Sequence, residues 1–177
     1  MMDPVFQLAL RIFLILLWLM AIAHKMRDMP RFAATVSDYR LVPALLAGPA
    51  AVCVIMLECC VLLALLLVPQ HPAGPLGSAV LLLAYGAAIS ANLARGRRDI
   101  DCGCFGPLAR QQLDGWLVWR NLLLAALSLC CLLSAGSREL LWLDYFSTMA
   151  AVVVLAGLHQ IVSMLIANIN AVDRLRH

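Results

Sequence analysis

Of 177 residues, 64% are hydrophobic and 13% charged, where soluble domains carry about half and about a quarter. So large an apolar surplus excludes a water-soluble fold and calls for a bilayer as solvent. The net charge of +3 is small and the arginines lie between apolar runs, which excludes the continuous basic face that nucleic acid binding needs.

No polar stretch is long enough for an appended soluble module, so residues 1–177 are expected to form a single transmembrane helical domain. The first apolar run covers 5–23. Its start, Met1 to Pro4, is not basic, and His24-Lys25 follows it where a cleavage site would have small residues, so it reads as a retained span. Next, 31–41 puts Phe32, Val36 and Tyr39 on one helical face with Arg31, Asp38 and Arg40 elsewhere, as in a short helix lying at the membrane surface. Further runs of spanning length cover 44–68, 76–94, 116–135 and 146–169. Proline-rich 69–75 and Ser134 to Ser137 are the turns, and Asp114 is placed to cap the fourth span. Trp18, Trp116, Trp119, Trp142 and Tyr145 suit an interfacial aromatic belt. The runs are Leu/Ala-rich and lack the alternation of membrane barrels. The expected fold is an all-α integral membrane protein, a bundle of about five transmembrane helices (a four-helix core plus one) with a surface helix near 31–41.

Five spans put 24–43 and 95–115 on one side of the membrane. That side holds Lys25, Arg27, Arg31, Arg40, Arg95, Arg97, Arg98 and Arg110, while Arg138 stands alone on the other. Taken by itself, the positive-inside rule assigns the arginine-rich side to the cytoplasm.

Chemistry concentrates in Asp101-Cys-Gly-Cys-Phe-Gly-Pro107. Of seven cysteines, only Cys102 and Cys104 lie outside the apolar runs. A pair one residue apart closes only a small, strained disulfide ring, which makes it an oxidant rather than a staple. Arg95, Arg97 and Arg98 favour the thiolate; Asp99 and Asp101 oppose them. Thiol exchange is the functional reading. Beside it stand a copper(I) site, for which the loop supplies no third ligand, and two inert loop cysteines. Cys53, Cys59, Cys60, Cys130 and Cys131 read as small apolar fillers; Cys59-Cys60 and Cys130-Cys131 fall at similar depth, where a bond or an electron relay is the alternative.

Glu58, near the middle of the second span, must be paired or neutral. Arg11 lies about one helical turn away in depth, and a snorkelling Glu58–Arg11 brace is preferred to a catalytic or proton-carrying acid. Arg120 enters from the other side. His24 is either a base for a thiol or an interfacial anchor. His71, His159 and His177 show no ligand spacing.

His24-Lys25, the segment Phe32 to Pro43, Glu58, the segment Arg95 to Gly106 and Trp119-Arg120-Asn121 occur in an order that resembles the MauE family of methylamine utilisation. DoxX-like and vitamin-K-epoxide-reductase-like bundles are more broadly similar. The resemblance implies a bacterial inner-membrane protein that helps mature methylamine dehydrogenase, whose exported small subunit needs many disulfides. It implies a periplasmic thioredoxin-like partner for Cys102 and Cys104; Arg11, Arg120 and Asn121 are read as structural residues. That role wants the cysteine loop in the periplasm, against the arginine count, and the periplasmic side is preferred because thiol oxidation belongs there. A non-enzymatic scaffold or export helper is one competing function. A small-molecule or metal transporter lined by Glu58 and Arg11 is another, disfavoured by the lack of inverted repeats. No cofactor is expected; a quinone is compatible with redox work, but no residue pattern supports it.

Overall fold

The computed structural model describes residues 3–97, 100, 113–133 and 140–175. Cys102 and Cys104 lie outside the described residues, as do Arg98, Arg110 and Arg138. Six α-helices occur among the described residues: α1 Pro4–Arg27, α2 Met29–Asp38, α3 Ala47–Leu67, α4 Ala73–Ala94, α5 Gly115–Cys130 and α6 Trp142–Leu175. A 3₁₀ turn, Ala44–Leu46, leads into α3.

Local chemistry sets the boundaries. Asp3 caps α1 by accepting the Val5 amide at 2.9 Å, with Pro4 in the first helical position. Asp28 separates α1 from α2 and caps the latter through the Arg31 amide at 3.1 Å. Asp114 caps α5, as its position in the sequence suggests, through the Gly115 amide at 2.6 Å. α4 ends on Gly96, whose φ of 72° is the left-handed conformation that glycine adopts freely. The Gly96 and Arg97 amides then return to the carbonyls of Leu93 (2.9 Å) and Asn92 (3.0 Å), a Schellman stop.

The long apolar helices α1, α3 with its leading turn, α4 and α6 are each long enough to cross a bilayer. α5 has 16 residues, about 24 Å of helix, so the fourth run is helical over a shorter stretch than 116–135. α6 has 34 residues, about 51 Å, which is well beyond one hydrocarbon core.

α1, α3, α4 and α5 form a four-helix core, closed by Leu10, Leu14, Leu65, Leu82 and Leu124. α6 packs against α1, and α2 packs against α3. The α3–α4 approach is close where Gly74 and Gly77 pass Leu65 and Val61. A Cβ at either glycine would come within 2.9 Å of those side chains. Outside, Leu45, Met56, Leu123 and Ile161 are exposed, as suits a surface solvated by lipid.

Two expectations change at this level. Trp18 is not part of an interfacial belt: it is buried, and its indole N–H donates to Ser78 Oγ at 2.8 Å. It lies mid-helix on the inward stripe Leu14, Trp18, Ile22, Lys25, spaced by four, four and three residues. The second concerns His24 and Lys25, which belong to the last turn of α1 rather than to a loop.

Candidate functional site

The inward stripe of α1 ends in a cation. Lys25 is buried, and its Nζ bonds Glu58 Oε1 and, at 3.1 Å, Tyr85 Oη. The Tyr85 hydroxyl donates to the same Glu58 oxygen. The ammonium stands 4.9 Å from the Tyr85 ring centroid and 5.1 Å from that of Phe32 on α2, both within cation–π range. Four elements therefore hold one ion pair: α1 gives the cation, α3 the carboxylate, α4 the phenol and α2 an aromatic cover. Glu58 is wholly buried, and its second oxygen, Oε2, has no hydrogen-bond partner among the described residues.

The expected Glu58–Arg11 brace is absent. Arg11 Nε donates to the Leu65 carbonyl at 2.9 Å, and the guanidinium also reaches the Pro69 carbonyl. It satisfies carbonyls that the C-terminus of α3 leaves open, where a helix favours positive charge. Side-chain direction explains the exchange. Helical side chains lean toward their own N-terminus, and α1 and α3 run antiparallel. Glu58 therefore leans away from Arg11, while Lys25 leans back into the bundle to meet it. Gln7, one turn before Arg11, does the same service for α5, donating to the Cys131 carbonyl at 2.9 Å.

The ion pair borders a cavity of about 360 Å³. Its walls are mostly apolar, from Phe13, Leu17, Leu82 and Leu124, with His24, Lys25, Glu58, Tyr85, Arg120, Asn121 and His159 adding polar groups. Arg120 and Asn121 are buried, and Asn121 Nδ2 bonds the Leu117 carbonyl at 2.7 Å. His159 comes from α6 and meets the Phe13 ring edge to face, with centroids 6.1 Å apart. Of the residues singled out from sequence, His24, Glu58, Arg120 and Asn121 thus meet at one cavity, and Arg11 lies apart. Lys25, His159 and Tyr85 line it too, whereas the sequence places Lys25 among the loop charges, gives His159 no ligand spacing and does not single out Tyr85. The stripe spacing of α1 was the available signal for Lys25; for Tyr85 it was the α4 series Leu82, Tyr85, Ile89, Asn92.

The segment carrying Cys102 and Cys104 has its two ends tied together. The Leu113 amide donates to the Ile100 carbonyl at 3.2 Å, and both residues are buried with Ile89 and Leu117. Arg97 Nη1 donates to the Asp38 carbonyl at 2.9 Å, joining the end of α4 to the end of α2. The other five cysteines are free thiols. Cys59 and Cys60 sit mid-helix in α3, but Cys130 and Cys131 close the C-terminus of α5 beside Gln7, so the equal depth expected of the two pairs does not hold.

These features define a multi-pass helical membrane protein with a buried ion pair and an internal cavity. Residues 3–134 match the family described as methylamine utilisation protein MauE, and the chain belongs to that family. It is similar to proteins named methylamine utilization protein MauE from several organisms. For the one from Paracoccus denitrificans, identity is 37% over 129 residues, 73% of this chain and 69% of the relative. For Methylorubrum extorquens it is 39% over 133 residues, covering 74% and 72%. For Methylophilus methylotrophus it is 32% over 128 residues, covering 72% and 67%. No solved structure matches the chain. The matched residues include α1 to α5, while α6, with His159, follows them.

Proposed function

We propose that this protein is a membrane thiol-disulfide redox protein that helps mature an exported component of methylamine utilisation. The relatives' names supply the process. The resemblance drawn from the sequence supplies the methylamine dehydrogenase small subunit as client and a periplasmic thioredoxin-like protein as partner. The observation that carries the reading is the closed base of the 101–112 segment, Ile100 bonded to Leu113. Ile100 and Leu113, the described residues that flank the cysteine pair in sequence, are thereby held together at the end of the bundle where α1 brings His24 and Lys25.

In the proposed exchange, a thiolate of the reduced partner attacks one sulfur of the Cys102–Cys104 disulfide. A mixed disulfide forms and the other cysteine leaves as thiolate. The partner's second thiolate then resolves the mixed disulfide, so the partner ends oxidised and Cys102 and Cys104 end as a dithiol. His24, at the cavity edge, is the candidate base that takes the proton of each attacking partner thiol and returns it to the leaving cysteine thiolate, so that two protons pass with the two electrons. Glu58 is assigned to the ion pair rather than to proton transfer.

Charge supports a periplasmic loop better than the bare arginine count does. Lys25 is neutralised by Glu58, and Arg97 is engaged with a helix-end carbonyl. The inner membrane of a bacterium is the proposed location.

The test is alkylation of the purified protein under oxidising and reducing conditions, with mass spectrometry of the loop peptide. Cys102 and Cys104 are expected to cycle together, Cys102→Ser to trap or abolish a mixed disulfide with the thioredoxin-like partner, and Cys53→Ser to change nothing. Should both thiols stay free under an oxidant that oxidises the partner, the redox reading fails and a membrane scaffold or export helper takes its place.

A further inference from the structure

We infer that the cavity between α1, α5 and α6 binds a lipophilic molecule with a hydroxyl head, an alkylphenol or long-chain alcohol, that enters sideways from the bilayer. This is independent of the thiol chemistry above.

The first observation is the mouth. Leu16 and Met20 line the cavity yet are 37% and 47% exposed on the outer face of the bundle. They stand near the middle of a 24-residue spanning helix. An opening at that depth faces hydrocarbon, so the ligand must partition into lipid first.

The second is the polar end. Glu58 is one of the residues lining the cavity, and its Oε2 is buried without a hydrogen-bond partner among the described residues. A buried acceptor left in that state is unfavourable, and more so when charged. What it lacks is a donor. Beside it, Lys25 Nζ uses two of an ammonium's three N–H donors on Glu58 and Tyr85. A hydroxyl satisfies both neighbours at once, because it donates to the carboxylate and accepts from the ammonium. An amine head would be repelled by Lys25 and Arg120, and a carboxylate or phosphate head, though drawn by those cations, brings no donor for Glu58 Oε2.

The third is size. About 360 Å³ lies at the lower end of small-molecule sites. It suits one ring or a short chain, with the remaining tail passing Leu16 and Met20 into the lipid.

The experiment uses the full chain in lipid nanodiscs and a photoactivatable alkylphenol with the diazirine on its tail. 4-Octylphenol should compete for labelling, and crosslinks should map to α1 near Leu16–Met20 and α6 near Ala156–Gln160. 4-Octylanisole, which lacks the donor, should compete about tenfold less well or worse, as loss of a hydrogen bond to a charged group requires. Gly157→Leu fills the cavity from a position where a Cβ meets nothing within 4 Å. It should therefore fold normally, keep the Lys25–Glu58 pair and lose labelling at least tenfold. Equal competition by the anisole, labelling untouched by Gly157→Leu, or no saturable labelling would each overturn the proposal.

Discussion

Replacing Lys25 by Met keeps the length and apolar stem of the side chain and removes only its charge. Glu58 then stays wholly buried with Tyr85 as its one remaining donor in the described structure. Breaking a buried ion pair by deleting one partner costs about 3–5 kcal/mol. The surviving phenol bond, to a charged acceptor, offsets part of that. The expected loss is therefore about 2–4 kcal/mol, roughly 10 °C in Tm for a chain of this size. Glu58→Gln in the same background removes the stranded charge and should return most of the loss, giving a coupling of about 2 kcal/mol in a double-mutant cycle. Thermal unfolding of purified protein in detergent, followed by tryptophan fluorescence, reads all four corners. Arg11→Met destabilises too, through the C-terminal carbonyls of α3, but its cycle with Glu58 should close near zero. Coupling of Glu58 to Arg11 instead of Lys25 would refute the side-chain geometry.

Three further outcomes are expected. Gly74→Val drives a Cβ to 2.9 Å from Leu65 Cδ2 and 3.0 Å from the Leu65 amide nitrogen, and should lower stability by about 1–3 kcal/mol; Gly48→Ala, with open space around it, should be neutral or slightly stabilising in the same melt. Trp18→Phe deletes the donor to Ser78 and should lower stability by about 1–2 kcal/mol, while Trp18→Phe with Ser78→Ala should lose little more. Reporter fusions after Gln70 and Leu140 should report one side and a fusion after Gly106 the other. If Gly106 and Leu140 report the same side, α5 does not cross and the bundle has four spans.

Most of the architecture was legible because hydrocarbon imposes a coarse rule: long, apolar and lacking charge. That rule found every long helix to within a few residues at most ends. It overshot at α5 because apolar composition does not stop a helix. The apolar run extends to Ser134 in sequence, yet α5 ends at Cys130, where the Ser128 and Leu129 carbonyls turn the chain. Trp18 failed for a related reason. An indole N–H needs a partner, and a sequence does not show whether that partner is a headgroup or a serine on another helix, as Ser78 is here.

The site was legible by face but not by depth. Spacing along α1 places Lys25 below Trp18 on the inner side, and Glu58 in the second span plainly requires a cation. Pairing the two asks for the direction in which each side chain leans, and for the distance a lysine reaches back along its own helix. Counting residues from the membrane surface ignores both, so it selects Arg11, whose charge is drawn instead to the open carbonyls of Leu65 and Pro69. The same neglect enters the assignment of sides. A positive-inside count treats every cation near a helix end as free to meet the headgroups. Lys25 is turned inward and neutralised, and Arg97 is held on the Asp38 carbonyl. What these two contribute to orientation is set by the bundle, so the fusion at Gly106, rather than the tally of arginines, decides which compartment meets Cys102 and Cys104.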